Sequence, residues 1–536
     1  MKKRLLITVA VILIVVLGAF ALTACEPENT HKGVQTIEIR TAQELLSLKD
    51  NLGSDYDQTT YKLMNDIDLS DETWTPVGKN YVEAFCSDFD GNGHSITGVR
   101  IFNETVSEDR ETSSTIGFFG FTIDSEIKNL TISIAYDFIY DTEMVCAGGL
   151  IGYAFGDTIL SDITVNGEMS VNLVTDYEDI KAYIGGVIGS STGSISMTNV
   201  TNNATVLADR RIGEGVLGSR TETNRLHTAY AGGVAGYIRT VDLSIKEDGD
   251  EVTEDNTFQN VVNNGDITVY AERLNAGGVF GSVYNSSSAT NIRTGAQTAL
   301  LFDCALRANA GGLIGYADNI TLADAECNAV VSEVARVTID QEENKIFNVG
   351  GLIGYAANGV IITDSSVDTV IMLDGAVDFA GGLVGVLSDS EIKDCSATGE
   401  YIYKSISGTM YNVLGDAVIY SEGNYIKDES STLTNMDYRK WSGAVGKMFG
   451  AGKISYIDID MYSYCAVLCT KVDRVKAKKD GGFDNFNGEI ENDDIFYAAE
   501  KVREWVDDKD SATLYGNPVL PDPPEDPQDP QNPQDE

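Results

Sequence analysis

The chain has 536 residues, enough for several ordinary domains or for one long solenoid. Its 82 acidic residues against 38 basic ones give a formal charge of −44. So acidic a chain repels nucleic acid and anionic surfaces, which excludes nucleic acid as a partner and leaves no charge-driven attraction to a membrane.

The N-terminus reads as a targeting segment outside the fold. Met1-Lys2-Lys3-Arg4 is a basic start, residues 5–20 are an apolar run, and Leu22-Thr23-Ala24-Cys25 follows. That quartet resembles a bacterial lipobox, and the resemblance implies cleavage of a signal peptide, 1–24, with lipid on the Cys25 sulfur. Acyl chains hold a protein on a membrane at about 0.8 kcal/mol per buried methylene. The rest of the chain is therefore expected at the cell envelope, lipid-anchored on the extracytoplasmic face. An acidic spacer, 25–35, comes next.

Residues 36–104 read as an N-terminal cap with the first rungs of a coil. Thr36-Ile37-Glu38-Ile39-Arg40 alternates like a short strand. Thr41-Ala42-Gln43-Glu44 has capping-box spacing, and Leu45, Leu46, Leu48 and Leu52 supply one apolar helical stripe. A helix here would hide the first rung from water and from other strand edges. His94, in an Asp-Gly-Asn-Gly-His turn, is read as structural.

From 105 to 405 one phrase returns: Gly-Gly, two apolar residues, Gly. It is complete at Gly148-Gly149-Leu150-Ile151-Gly152, and a shortened copy stands at Gly117-Phe118-Phe119-Gly120. The glycine before the apolar pair falls at 117, 149, 186, 233, 278, 312, 351 and 382. Such a period means units too small to bury their own apolar faces, which form a core only by stacking. Glycine fits there either for positive φ or for close backbone approach.

An Asn or Asp follows 12 or 13 residues later in six copies: Asn129, Asp162, Asn199, Asp324, Asp364 and Asp394. Asn260 and Asp303 are the nearest equivalents in the other two, 27 and 25 residues on. This column is read as side chains stacked rung on rung that satisfy turn backbone. With turn pairs such as Asn166-Gly167 and Asn264-Gly265, each repeat reads as three short strands and three turns. Three stretches read as insertions: 209–230, 246–256 and 285–298. The first carries Arg210, Arg211, Arg220 and Arg225, a locally basic loop and a candidate binding surface. Cys304 and Cys395 each follow an Asp in what reads as one apolar column, so they are taken as small buried hydrophobes.

At these residues the chain is similar to the bacterial extracellular proteins that carry GLUG-motif repeats. Asn65-Asp66-Ile67-Asp68-Leu69-Ser70, Trp74-Thr75-Pro76-Val77-Gly78 and the repeated Gly-Gly-Leu-Ile-Gly-Tyr carry the likeness. The resemblance implies an all-β, right-handed parallel β-helix solenoid on the cell surface, a fold shared with pectate-lyase-like enzymes and many adhesins. It implies little about activity.

Beyond 405 no further copy aligns, and 406–517 reads as a small mixed module or cap, with an amphipathic helix near 495–506. Residues 518–536 alternate Pro with acidic and amide residues and read as a disordered tail.

Only His31, His94 and His227 are present, and there is no HExxH, GxSxG or P-loop motif. Carboxylate pairs are too abundant in so acidic a chain to identify a site, so no catalytic residue is assigned. No cofactor is expected. The acidic surface would suit structural calcium, although no EF-hand loop or GGxGxD repeat occurs. The sequence therefore favours a monomeric, lipid-anchored, non-catalytic surface protein in binding or adhesion, with a glycan or a surface protein as ligand. The alternatives are a carbohydrate-active β-helix lyase or hydrolase using carboxylates and a purely structural envelope protein.

Overall fold

The computed structural model describes residues 35–101, 113–140, 142–173, 180–209, 226–240, 255–296, 298–333, 346–373, 379–405, 433–434, 441–442, 445–449 and 453–467. They form a parallel β-solenoid, and nearly every pairing is parallel and in register with the rung before and after. A representative coil has four strands: Lys181–Gly185, Ile188–Thr192, Ile195–Asn202 and Thr205–Asp209. The sequence suggested three. Asn264-Gly265 does end a strand, separating Asn256–Asn263 from Ile267–Gly277, whereas in the three-stranded coil 144–173 the Asn166-Gly167 pair kinks a strand without ending it. Gly167, at φ 127°, lies inside the continuous strand Thr158–Leu173.

Alternation sends every second side chain of each strand inward. The first segments stack Ile116, Ala147, Ile184, Ala231, Ala276, Ala310, Val349 and Ala380, all fully buried. The second segments stack Phe119, Ile151, Ile188, Ala235, Phe280, Ile314, Ile353 and Val384. Rungs lie about 4.8 Å apart. Each buried Ile or Leu contributes about 1.5–3 kcal/mol, shared between neighbouring rungs.

The start of the coil is closed as expected. Strand Gln35–Ile39 pairs with Thr59–Leu63, and helix Ala42–Leu46 lies between them. Thr41 and Glu44 form the capping box, Leu45 and Leu48 are fully buried, and Leu46 and Leu52 pack against the core. Beneath this cap the core is aromatic. Trp74 stacks on Phe118 with centroids 4.2 Å apart and donates its indole N–H to the Phe118 carbonyl at 3.0 Å.

The register revises three sequence readings. First, residues 285–298 are no insertion: strand Phe280–Thr294 runs through most of them. The column partner of Asn260 is consequently Asn291, 13 residues after Gly278, and not Asp303. Asp303 pairs with Tyr270, further along the coil. Second, the column of Cys395 holds Ile292, whereas Cys304 pairs with Ala271. Cys304 is nonetheless buried, as are Cys86, Cys146, Cys327 and Cys395, and none of the five is in a disulfide.

Third, the rung at 379–405 is followed by another. Trp441–Ser442 pairs with Ala380-Gly381, Val445–Phe449 with Val384–Ser388, and Lys453–Val467 with Glu391–Ser405. Ser442-Gly443-Ala444-Val445-Gly446 is thus a ninth copy of the phrase, with Ser for its first glycine. That substitution and the long gap after Gly382 hide it from a search for the motif. Other expectations for 406–517, the 495–506 helix included, lie outside the described residues.

Candidate functional site

The Gly-Gly phrase makes a sharp corner between the first and second segments of every coil. None of its glycines has positive φ, so close approach is what requires them. A Cβ on Gly233 would lie 2.2 Å from Asn263 Cγ and 2.3 Å from the Gly278 carbonyl oxygen. Asn202 and Asn263 are polar residues of the interior, and their satisfaction explains how they are tolerated there. Asn202 Nδ2 donates to Asn263 Oδ1 at 2.7 Å, and each asparagine also bonds the backbone two residues on.

At this corner the outer faces of the two segments turn toward each other. Tyr183 and Tyr230, on first segments, meet Tyr237, on a second segment, at centroid distances of 5.4 and 5.1 Å. Asn275 Nδ2, likewise, donates across the corner to Ser282 Oγ at 2.9 Å. Outward side chains that touch across a bend define a re-entrant corner. It therefore runs along the solenoid as a groove, and outward residues at its base, such as Cys146 and Ser282, are buried.

A stripe of tyrosines follows this groove. The second-segment column reads Phe121, Tyr153, Ser190, Tyr237, Ser282, Tyr316, Tyr355. Where it carries Ser190 the aromatic comes from Tyr183 on the same coil, and where it carries Ser282 it comes from Tyr284, two residues on. Successive rings stay in contact: Phe121–Tyr153 at 5.0 Å, Tyr183–Tyr230 at 5.0 Å, Tyr237–Tyr284 at 5.2 Å, Tyr284–Tyr316 at 5.0 Å and Tyr316–Tyr355 at 5.6 Å. Because ring faces are engaged with one another, edges and hydroxyls are what the groove presents. On the facing column Asn275, Asn309 and Asn348 continue the line, each donating to the one before at 2.7 Å. The ladder ends where Phe379 follows, and Asn348 Oδ1 is left without a hydrogen-bond partner.

Burial pushes these phenols up: Tyr316 reaches about 12, and Tyr153, Tyr183, Tyr237 and Tyr284 also rise. They stay neutral hydrogen-bonding groups throughout the physiological range. Tyr153 donates to Thr192 Oγ1 at 2.8 Å. The cations of this region stand on the groove walls. Lys181, Arg273 and Arg307 occupy one outward column of the first segments, and Arg239 faces them from the second.

The residues singled out from sequence fall elsewhere. Asn129, Asp162, Asn199, Asn260, Asn291, Asp324, Asp364 and Asp394 all take φ between 50° and 57°, kinking the third segment on the outer surface. Asn199 donates to Asp162 at 2.8 Å, Asn260 to Asn199 at 2.9 Å and Asn291 to Asn260 at 2.5 Å. This column stacks as expected, but it bonds side chain to side chain. His94 is within 3.3 Å of Asp66, which also accepts from Ser95 N, a structural turn. Among the described residues no group of three or more His, Cys, Asp or Glu is placed to hold a metal ion. Cys25 and the loop arginines Arg210, Arg211, Arg220 and Arg225 lie outside the described residues. Sequence reading passed over the tyrosine groove. Its one signal is Tyr following the phrase at 153, 237, 316 and 355, three residues after its first apolar position.

Comparison with known proteins adds a local match. Residues 380–401 match the GLUG motif, and they cover the corner and third segment of one coil. No curated protein matches. Among solved structures the chain is similar to a "putative immunoglobulin A1 protease" from Bacteroides ovatus, at 14% identity, over 79% of this chain and 85% of that one, with a TM-score of 0.36. So distant a likeness carries no argument about fold or activity. The chain carries a GLUG motif, and its described residues fold as a parallel β-solenoid.

Proposed function

We propose that this chain is a lipid-anchored, extracytoplasmic β-solenoid that binds an extended glycan along the re-entrant corner and does not cleave it. The supporting observation is the groove itself, a line of neutral phenols, amides and hydroxyls repeated at rung spacing from Tyr153 to Tyr355. A linear polymer of similar sugar units suits such a periodic row of hydrogen-bonding groups better than a compact ligand does. Neighbouring phenols and the rigid coil hold these groups in place, which limits the ordering cost of binding. Anchoring rests on the 1–25 pattern alone, with the lipid on Cys25 fixing one end to the membrane. The protein is proposed to act as a monomer.

The test is a glycan array probed with the full chain, with every bound glycan then assayed for cleavage. Binding without turnover, weakened at least about tenfold by Tyr230→Ala with Tyr237→Ala, is expected from the loss of anchors at a binding surface. Turnover would favour the carbohydrate-active alternative, and binding that ignores the tyrosines would remove the corner from the account.

A further inference from the structure

Between residues 144 and 350 the described side chains include five Lys or Arg: Lys181, Arg239, Arg273, Arg293 and Arg307. Four of the five line the corner groove, on a chain whose formal charge is −44. Their placement follows from register. Lys181 pairs with Thr228, Thr228 with Arg273 and Arg273 with Arg307, one outward column two residues before the Tyr183–Tyr230–Asn275–Asn309 line. Arg239 stands on the opposite wall, two residues after Tyr237. We infer that the groove is specific for anionic polysaccharides, bearing carboxylate or sulfate along an extended chain, and not for neutral ones. This deepens the proposed function and rests on it.

The cations reach into the groove. The Arg239 charge beside Tyr237 holds that phenol below where burial alone would put it, and Arg307 acts in the same sense on Tyr316. Arg273 Nη1 lies 3.0 Å from His227 Nε2, which anchors the guanidinium on its wall. Two carboxylates share the region: Asp318, beside the Tyr316 hydroxyl at 3.5 Å, and Glu272, 3.9 Å from His227. Among the described residues of these walls, four cations stand with two carboxylates. At physiological salt charges beyond about 8 Å are largely screened, so a bound chain responds mainly to the groove walls. The acids Asp162, Asp324, Asp364 and Asp394 lie in the third segment, on another face of the coil. The acidic body acts at longer range and slows the association of any polyanion.

Three polymers on one backbone separate charge from sugar: dextran, carboxymethyl-dextran and dextran sulfate, titrated against the full chain at several salt concentrations. Expected is binding to both charged polymers at physiological salt, at least about tenfold tighter than to dextran, weakening as salt rises above that level. Arg273→Gln and Arg307→Gln should each weaken it about 2- to 5-fold, as for exposed ion pairs, while Arg100→Gln on the cap leaves it unchanged. Equal affinity for dextran and its charged forms, indifferent to the arginine variants but lost with Tyr230→Ala and Tyr237→Ala, overturns the anionic inference and keeps the glycan reading. Binding to the charged polymers that Arg100→Gln weakens as much as Arg273→Gln also overturns it, since the attraction is then not the groove's. No binding to any of the three, with no hit on the glycan array, removes both.

Discussion

The corner and the third segment use one device, a polar side chain repeated at a fixed register position, in different surroundings. In the third segment Asn199, Asn260 and Asn291 donate along the column and Asp162, Asn199 and Asn260 accept, so these groups are spent within the ladder. They also relieve the kink, because Asn and Asp tolerate the left-handed conformation at least cost after glycine. At the corner the tyrosines spend their ring faces on one another and leave edges and hydroxyls outward. Side-chain ladders therefore do not by themselves mark a site. The difference lies in what remains unspent and in the cations gathered beside it.

Substitutions can break this contrast. The largest effect is expected at the corner glycines. Gly233→Ala should destabilise by about 3 kcal/mol, since the added methyl meets the Asn263 amide and a rigid carbonyl. A shift in urea midpoint worth under about 0.5 kcal/mol would show that the corner is not closed by contact. Next comes Asn263→Ala, which strips Asn202 and the Gly265 backbone of buried partners. It should cost about 1–3 kcal/mol in the same titration. Asn199→Ala, on the exposed ladder, should cost about 1 kcal/mol, and Asn199→Gly should recover part of it by easing the φ of 56°. If the exposed change matches the buried one, the two ladders are not energetically distinct.

A smaller effect, absent at neutral pH, sharpens the corner's side of the comparison. The folded phenols ionise above their ordinary value near 10, Tyr316 at about 12. Their contribution to stability is therefore fully present below about pH 10 and is lost as pH rises through the folded values. Tyrosinate absorbance should appear late and together with unfolding in an alkaline titration. Early, uncoupled ionisation of all tyrosines would contradict the packed stripe.

Much of the fold was legible because stacking forces periodicity into the chain. The Gly-Gly phrase gave the coil, and Thr41 with Glu44 gave the cap, each through a local rule. Register was harder. Asp303 was taken for Asn291 because a Ser- and Asn-rich strand, 285–294, has the composition of a loop. The ninth copy escaped because its first position is Ser442 in place of glycine and because it stands far beyond Gly382. The groove itself was invisible. It joins Tyr183 to Tyr237 and Arg273 to Arg239, residues brought together only by parallel stacking and by the angle of the corner. No spacing rule in one sequence encodes an angle.

The most direct test is hydrogen exchange of the full chain with and without carboxymethyl-dextran at physiological salt. The account predicts added protection at 181–192, 228–239 and 273–284, on both walls of the corner, with none along the third-segment column from Asp162 to Asp394. Protection confined to the third segments, or none at the corner despite saturating ligand, would contradict it.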